Sequence, residues 1–293
     1  MTVTKVEAYI EASVKKAEEI KNFNETDSTL KEGAGKKLLR KIDSINYPIY
    51  CTEETVKSAG AIKLENNDIF LISFPNSGIE LLKNIILQLL DIEVNDEYNF
   101  PTIEYFGSSV IDIYPPPKYL QTYLNFNLCP KLNNCKVIIL IRNPKDVVCS
   151  MFKQIPGNED IKLPSEDFTE FMNAFLEGET EYGDYFTHLQ SLLPLIDDKK
   201  NLILTYEQTT ADLVTTITKL GKFLNLQDKV SDQKSLFKIV EEVTLHNEFN
   251  YNYTIKEWKK YFNEEESLKI DEKFNLFFKG TIIENIFDKK MEW

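Results

Sequence analysis

The residues that most often bind anions or carry protons are scarce in this chain. Its 293 residues include two arginines, Arg40 and Arg142, and two histidines, His188 and His246. The four cysteines, Cys51, Cys129, Cys135 and Cys149, are too few for a disulfide framework at this length. They form neither a C-x-x-C pair nor a cluster with histidine, so no metal site is expected. No run reaches the roughly 18 apolar residues that a membrane span needs. The opening MTVTKVEAYIEASVKKAEEIKNF is charged throughout and lacks the apolar core of a signal peptide. A cytoplasmic protein with reduced thiols is the expectation. Positive charge is short as well: 34 basic against 47 acidic residues leave a net charge of −13. Such a surface repels phosphate backbones and anionic lipid, which argues against nucleic-acid or membrane partners. A small anion can still bind where a few basic groups share one pocket.

What is present fits an ordinary globular protein, with 42% apolar and 28% charged residues in a chain long enough for one large domain or two modest ones. Helical spacing at Val6, Ile10, Val14 and Ala17, followed by a polar stretch to residue 36, predicts an N-terminal helix and mobile loop over 1–36 and a single domain over 37–293. The run Ile69-Phe70-Leu71-Ile72 predicts a buried strand, and Ser77 to Leu90 has the apolar spacing of a helix. Lys136 to Ile141 predicts a second strand, followed by a helix from Lys145 to Gln154. Asn201 to Thr205 predicts a third, followed by a helix from Ala211 to Leu224. Short apolar strands alternating with helices imply an α/β fold with a central, mainly parallel sheet flanked by helices. In such folds ligands bind at the carboxyl ends of the strands.

Two strand-end turns could carry chemistry. Phe74-Pro75-Asn76-Ser77-Gly78 can turn tightly and present the free N–H groups of the next helix to a phosphate or sulfate; Asn76 or Ser77 can equally be a plain helix cap. Arg142-Asn143-Pro144-Lys145-Asp146 places a guanidinium at a strand end, with the Ser150 hydroxyl two turns on, which suits a phosphate monoester.

These segments resemble the cytosolic sulfotransferases, which move a sulfuryl group from 3′-phosphoadenosine 5′-phosphosulfate (PAPS) to small acceptors and release adenosine 3′,5′-bisphosphate (PAP). DIFLISFPNSGIELLKNII resembles the family's phosphosulfate loop, Y-P-K-S-G-T-T-W. CKVIILIRNPKDVVCSMF is similar to its R-N-P-K-D-x-x-x-S motif, and LEGETEYGDYFTHL and NLILTYEQTTADLVTTITKLGKFL resemble two further segments in the right order. The resemblance implies a P-loop-like donor turn of Asn76, Ser77, Gly78, Ile79, Glu80 and Leu81, with Arg142 and Ser150 on the 3′-phosphate and Tyr206 against the adenosine. VTLHNEF matches a further segment, which keeps Thr244 and puts His246 beside the adenine. Tyr182 matches an acceptor-pocket tyrosine, and KYLQTYLNF resembles R-x-x-K-T-H-L-P, which makes Gln121, Thr122 and Tyr123, with Phe106, acceptor-side candidates. His188 matches a histidine outside the chemistry, and Arg40 has no motif, which leaves a surface role as its default.

The departures fall where the chemistry should be. Asn76 stands in place of the loop lysine, Glu80 of a threonine, Leu81 of the adenine-stacking tryptophan, Gln121 of a lysine and Tyr123 of the catalytic histidine. The C-terminal arginine and lysine clamp is missing from Tyr251 to Lys259. Loss of one electrostatic donor typically costs about 3 kcal/mol. A tyrosine, ionising near 10, is a poor base. Glu80 would oppose a phosphate unless it turned outward to pair with Lys83 or Asn84 on the helix surface. The expected activity is therefore an atypical sulfuryl transfer to a small, mostly apolar acceptor that needs no strong base, such as an acidic hydroxyl or an enolisable or conjugated carbonyl compound. Tyr123 and Asn76 stand at the reacting centre. The alternative is a catalytically silent relative that binds PAP, PAPS or a small apolar ligand. The family's dimer motif is not recognisable in Lys259 to Leu268, so a monomer or weak homodimer is expected.

Overall fold

The computed structural model describes residues 30–32, 38–92, 99–155, 166–248, 257–287 and 291–292, together with Ala12 and Lys15. The helix expected near the N-terminus falls outside the described residues apart from those two positions.

The chain enters through an antiparallel ribbon, β1 (Leu30–Glu32), β2 (Leu38–Ile42) and β3 (Ile45–Pro48), in that order. Part of the segment expected as loop is thus a paired strand, with Lys31 opposite Leu39. Arg40, on β2, is buried and donates from Nη2 to the Ile49 carbonyl at 3.4 Å, which corrects the surface role expected of it. Helix α1 (Glu53–Ser58) follows, its first turn closed by a reciprocal capping box between Thr52 and Thr55.

The core then forms in the expected order. β4 (Ile69–Ser73) leads into α2 (Ile79–Leu90); α3 (Ile103–Ile111) precedes β5 (Tyr119–Thr122); β6 (Lys136–Ile141) leads into α4 (Pro144–Lys153). Helices α5 (Glu166–Glu177), α6 (Tyr185–Ser191) and α7 (Leu193–Ile196) come next. β7 (Leu202–Thr205) is followed by α8 (Tyr206–Ala211), α9 (Leu213–Phe223), α10 (Gln227–Ser231), α11 (Gln233–Glu248) and α12 (Glu264–Phe278). The four strands make one parallel sheet in the order β5-β4-β6-β7.

Strand alternation divides the core into two layers. Phe70, Ile72, Ile139 and Ile141 face one side, with the aromatic residues of α5, α6 and α12. Ile69, Leu71, Ile138 and Leu140 face the other, against α2, α9 and α11. Every β4 residue is buried, which is why its sequence is continuously apolar instead of alternating. Chain order reverses around β4, since β5 lies on one side and β6 on the other. A crevice therefore opens where the helices after β4 and β6 diverge. Both strand-end turns lie there. Among the described residues, no helix is long and apolar enough to cross a membrane.

Candidate active site

A cleft of about 460 Å³ opens at the carboxyl ends of β4 and β6 and gathers both turns. Its size suits a small organic ligand. In the first turn Asn76 has a left-handed backbone (φ 61°), which asparagine tolerates better than most residues, and Gly78 is left-handed at φ 92°. Gly78 is required on a second count, because a Cβ there would lie 2.3 Å from Cδ2 of Tyr206. The ring of Tyr206 thus rests on the turn itself. Ser77 is buried at 1% exposure, and its Oγ has no hydrogen-bond partner among the described residues.

The second turn is fixed from behind. The Tyr185 hydroxyl donates to the Arg142 carbonyl at 2.6 Å, and the Asn143 amide donates to the buried Glu207 carboxylate at 2.8 Å. Asn143 caps α4 through the Lys145 amide, with Pro144 in the first helical position. Arg142 Nη1 donates to the Asn76 carbonyl at 2.7 Å, and the guanidinium carbon lies 4.1 Å from the Tyr206 ring centroid. The Ser150 hydroxyl, one face along α4, donates to Asn76 Oδ1 at 3.5 Å. Lys145 turns away: its fully buried ammonium meets Ser267 Oγ at 2.7 Å, the Met291 carbonyl at 2.6 Å and Asp271 at 2.7 Å. It ties α4 to α12 and takes no part in the cleft.

At the other end, four tyrosines, Tyr50, Tyr105, Tyr123 and Tyr182, line the cleft. Tyr123 and Tyr182 meet edge to face at 5.3 Å, as do Tyr50 and Tyr105 at 4.4 Å. Tyr182 is braced by the ribbon: its amide donates to the Asn46 carbonyl at 2.7 Å, and Tyr47 packs on its ring at 5.5 Å. Behind this wall is the fully buried Glu104. It accepts from Thr122 Oγ1 at 2.8 Å and from the Tyr123 amide at 2.9 Å. Burial, partly opposed by those hydrogen bonds, raises its carboxyl to about 7.

Of the residues singled out from sequence, Asn76, Gly78, Ile79, Glu80, Leu81, Tyr123, Arg142, Ser150, Tyr182 and Tyr206 line one cleft, with Ser77 in the same turn. Glu80 does pair with Lys83, at 2.6 Å, but not on an outer surface. Lys83 and Asn84 are buried, and Glu80 remains at the cleft edge. Gln121, Thr122, Phe106 and Thr244 are not among the lining residues. Gln121 is buried and donates to Thr102 Oγ1 at 2.7 Å. Phe106 packs against the core beside α3. Thr244 is exposed on α11 and donates to the Val240 carbonyl at 2.7 Å. The His246 side chain lies outside the described residues. His188 is buried at the edge of Phe74 and does not line the cleft.

Among the residues of the cleft region that went unread in the sequence are Tyr50, Tyr105, Lys153 and Glu181, with Glu104 behind the tyrosines. Lys153 was accessible to spacing, since it follows Ser150 by three residues on the same helix face. Its ammonium reaches into the cleft and pairs with Glu257. A glutamate inside the mostly apolar α3 was the only available signal for Glu104.

The comparisons with known proteins agree with this architecture. A family model described as "Sulfotransferase domain" matches residues 66–291. "Sulfotransferase 6B1" of Mus musculus is 26% identical over 275 residues, spanning 86% of this chain and 89% of that one. Mouse sulfotransferase SULT7A1, solved in complex with PAP, superposes with a TM-score of 0.71 at 24% identity, covering 87% of this chain and 100% of that one. Retinol dehydratase, solved with androsterone and inactive cofactor PAP, superposes at 0.61 with 19% identity, covering 92% and 95%. Because the family model runs from just before β4 to beyond α12 and takes in both strand-end turns, the chain belongs to the sulfotransferase family.

Proposed function

We propose that the protein transfers a sulfuryl group from PAPS to a small, mostly apolar acceptor bearing an acidic hydroxyl or an enolisable carbonyl. The observation that carries this reading is the convergence of the Asn76–Gly78 turn, Arg142, Ser150 and Tyr206 on one cleft. One feature fits an anionic donor: the Ser77 hydroxyl is buried without a hydrogen-bond partner among the described residues, in a turn where the missing Cβ of Gly78 lets the Tyr206 ring rest. Asn76, Ser77, Gly78 and the first amides of α2, at Ile79, Glu80 and Leu81, would hold the phosphosulfate end. Arg142, Ser150 and Lys153 would hold the second phosphate, and Tyr206 would lie against the nucleoside. PAPS supplies a sulfuryl group carried on a phosphate oxygen, which leaves as a stable anion. That stability is why a neutral amide donor at Asn76 can stand where a cation would do more. Tyr123 would orient the acceptor by hydrogen bonding.

A second reading, ligand binding without transfer, is favoured by one observation: Arg142 and Lys153 already have internal partners in the Asn76 carbonyl and Glu257. Titration calorimetry with PAP, on the wild type and Arg142→Ala, tests the site common to both readings. Micromolar binding that is lost in the variant is expected, and no binding at high micromolar ligand would overturn them. Transfer of labelled sulfate from PAPS to a panel of phenols then separates the two.

A further inference from the structure

We propose that the tyrosine end of the cleft is a cation subsite, in which Glu181 and the corner made by Tyr50 and Tyr105 hold a protonated amine on the acceptor. The inference rests on the transfer reading above and narrows its acceptor to a single-ring phenol that carries an ammonium group.

The charges that line the cleft are divided between its ends. Its lining cations are Arg142 and Lys153, both at the end proposed for the second phosphate. The carboxylates at that end and at the donor turn are already engaged. Glu80 pairs with Lys83 at 2.6 Å, Glu257 pairs with Lys153, and Asp146 accepts from the Trp258 amide at 3.3 Å. Glu181 is the lining carboxylate of the tyrosine end, next to Tyr182 in the chain, and among the described residues no cation lines the cleft there. Two buried charges stand behind this end. Arg40 turns to the Ile49 carbonyl, and Glu104 to Thr122 and the Tyr123 amide; neither lines the cleft. An acceptor at this end therefore meets Glu181 directly and the other two only through the wall.

The aromatic part of the wall has the shape that a cation needs. The Tyr50 and Tyr105 rings are inclined at 73° with centroids 4.4 Å apart, and the Tyr105 hydroxyl donates to that of Tyr50 at 3.3 Å. Rings so inclined make a corner, not a slot for a flat ring. A cation is attracted within about 6 Å of a ring centroid, so one ammonium in this corner reaches both rings. Tyr123 and Tyr182 form a second corner, at 61° and 5.3 Å. The Glu181 charge reaches the first corner. Burial and then that charge raise the Tyr50 hydroxyl to about 12, against the Tyr105 hydrogen bond, which keeps Tyr50 a neutral phenol at ordinary pH.

An ammonium brings three N–H donors and no acceptor. Phenolic oxygens and the Glu181 carboxylate supply acceptors on the same wall. Glu181 is half-buried, and ion pairs that water reaches are weak, so a ligand ammonium can compete for it with local partners. A neutral alkyl chain would leave the carboxylate against apolar surface, and a carboxylate on the acceptor would meet like charge. A para-substituted phenol carries its hydroxyl and its ammonium at opposite ends of one ring. That matches a cleft with the donor turn at one end and Glu181 at the other.

Matched acceptors test this. Tyramine and para-ethylphenol share ring, hydroxyl and carbon chain and differ by the terminal ammonium. Sulfate transfer from PAPS should give tyramine a kcat/KM roughly 10- to 100-fold above that of para-ethylphenol, most of it in KM. The matching para-hydroxyphenylpropionate, with a carboxylate in place of the ammonium, should be the poorest of the three. Glu181→Gln should bring the ratio of tyramine to para-ethylphenol within about threefold of unity. Glu181→Lys should put the propionate above tyramine, a reversal that a merely structural role would not produce, and PAP binding should be kept in both variants. Equal kcat/KM for tyramine and para-ethylphenol in the wild type, a preference that survives Glu181→Gln, or an unchanged order in Glu181→Lys would overturn the subsite. If PAP does not bind or no phenol is sulfated, the transfer reading falls instead. Titration calorimetry of tyramine and para-ethylphenol on the protein alone then decides the subsite: tighter tyramine binding that is lost in Glu181→Gln upholds it, and equal binding overturns it.

Discussion

Glu104 and His188 bury ionisable groups of opposite sense, and their effects on stability run against each other. Burial lowers His188 to about 3 from an ordinary 6.5, so its contribution is complete above pH 6.5 and is lost as pH falls toward 3. Glu104 is raised from 4.5 to about 7, so its contribution is complete below pH 4.5 and is lost as pH rises toward 7. Between pH 4.5 and 6.5 the two slopes, each about 1.4 kcal/mol per pH unit at full titration, oppose one another. Calorimetric melting should find the wild type nearly flat across that window and Glu104→Gln losing stability steadily on acidification; parallel curves would contradict this account. Residue-level legibility was uneven for physical reasons. Arg142, Ser150, Tyr182 and Tyr206 were readable because their neighbours in sequence are also their neighbours in the site. Glu104 was not, because its partners Thr122 and Tyr123 are brought to it by strand β5, some eighteen residues on. Arg40 was read as a surface residue because nothing local shows that β2 turns it toward the Ile49 carbonyl.

Among the elements, α4 matters most to the Arg142 end of the cleft, since one face carries both Ser150 and Lys153. The Lys153 ammonium is held by Glu257, in a pair that is 38% exposed on the lysine side and 16% on the glutamate side. Pairs this exposed contribute little net stability, typically 0–1 kcal/mol, so a phosphate can compete for the lysine. Glu257→Gln should therefore tighten PAP binding by roughly three- to tenfold without lowering the melting temperature, and Lys153→Ala should weaken binding by a similar factor. Calorimetric titration of both variants checks this, and equal affinities would remove Lys153 from the site. β4, β6 and β7 were legible because burial on both faces makes them continuously apolar. β5 was recognised only as a motif, because Tyr119-Leu120-Gln121-Thr122 is short and half polar; Gln121 and Thr122 are buried through hydrogen bonds to α3 and the residue before it. The ribbon was missed for a related reason, since the charged pair Arg40-Lys41 hides the apolar positions Leu39 and Ile42.

At the scale of the whole molecule, the net charge of −13 and the local cations act on a ligand at different distances. The overall field repels an anionic nucleotide during approach, whereas Arg142 acts on contact. Salt screens the first more than the second, with a Debye length of about 30 Å at 0.01 M falling to about 8 Å at 0.15 M. Stopped-flow binding of PAP should accordingly speed up across that range; an association rate that falls with salt would mean that the approach field is locally positive. The α/β class, the order of its core elements and the position of the cleft followed from hydrophobic runs and strand-end turns. What the runs could not show was that the tyrosine end draws on separate stretches of chain: Tyr50 after the ribbon, Tyr105 on α3, Tyr123 after β5 and Tyr182 before α6. The hydrogen bond from the Tyr182 amide to the Asn46 carbonyl couples that end to the ribbon, whereas the parallel sheet supplies both strand-end turns. A substitution at Asn46 or Tyr47 in the ribbon therefore reaches the tyrosine end through Tyr182 without touching either strand-end turn.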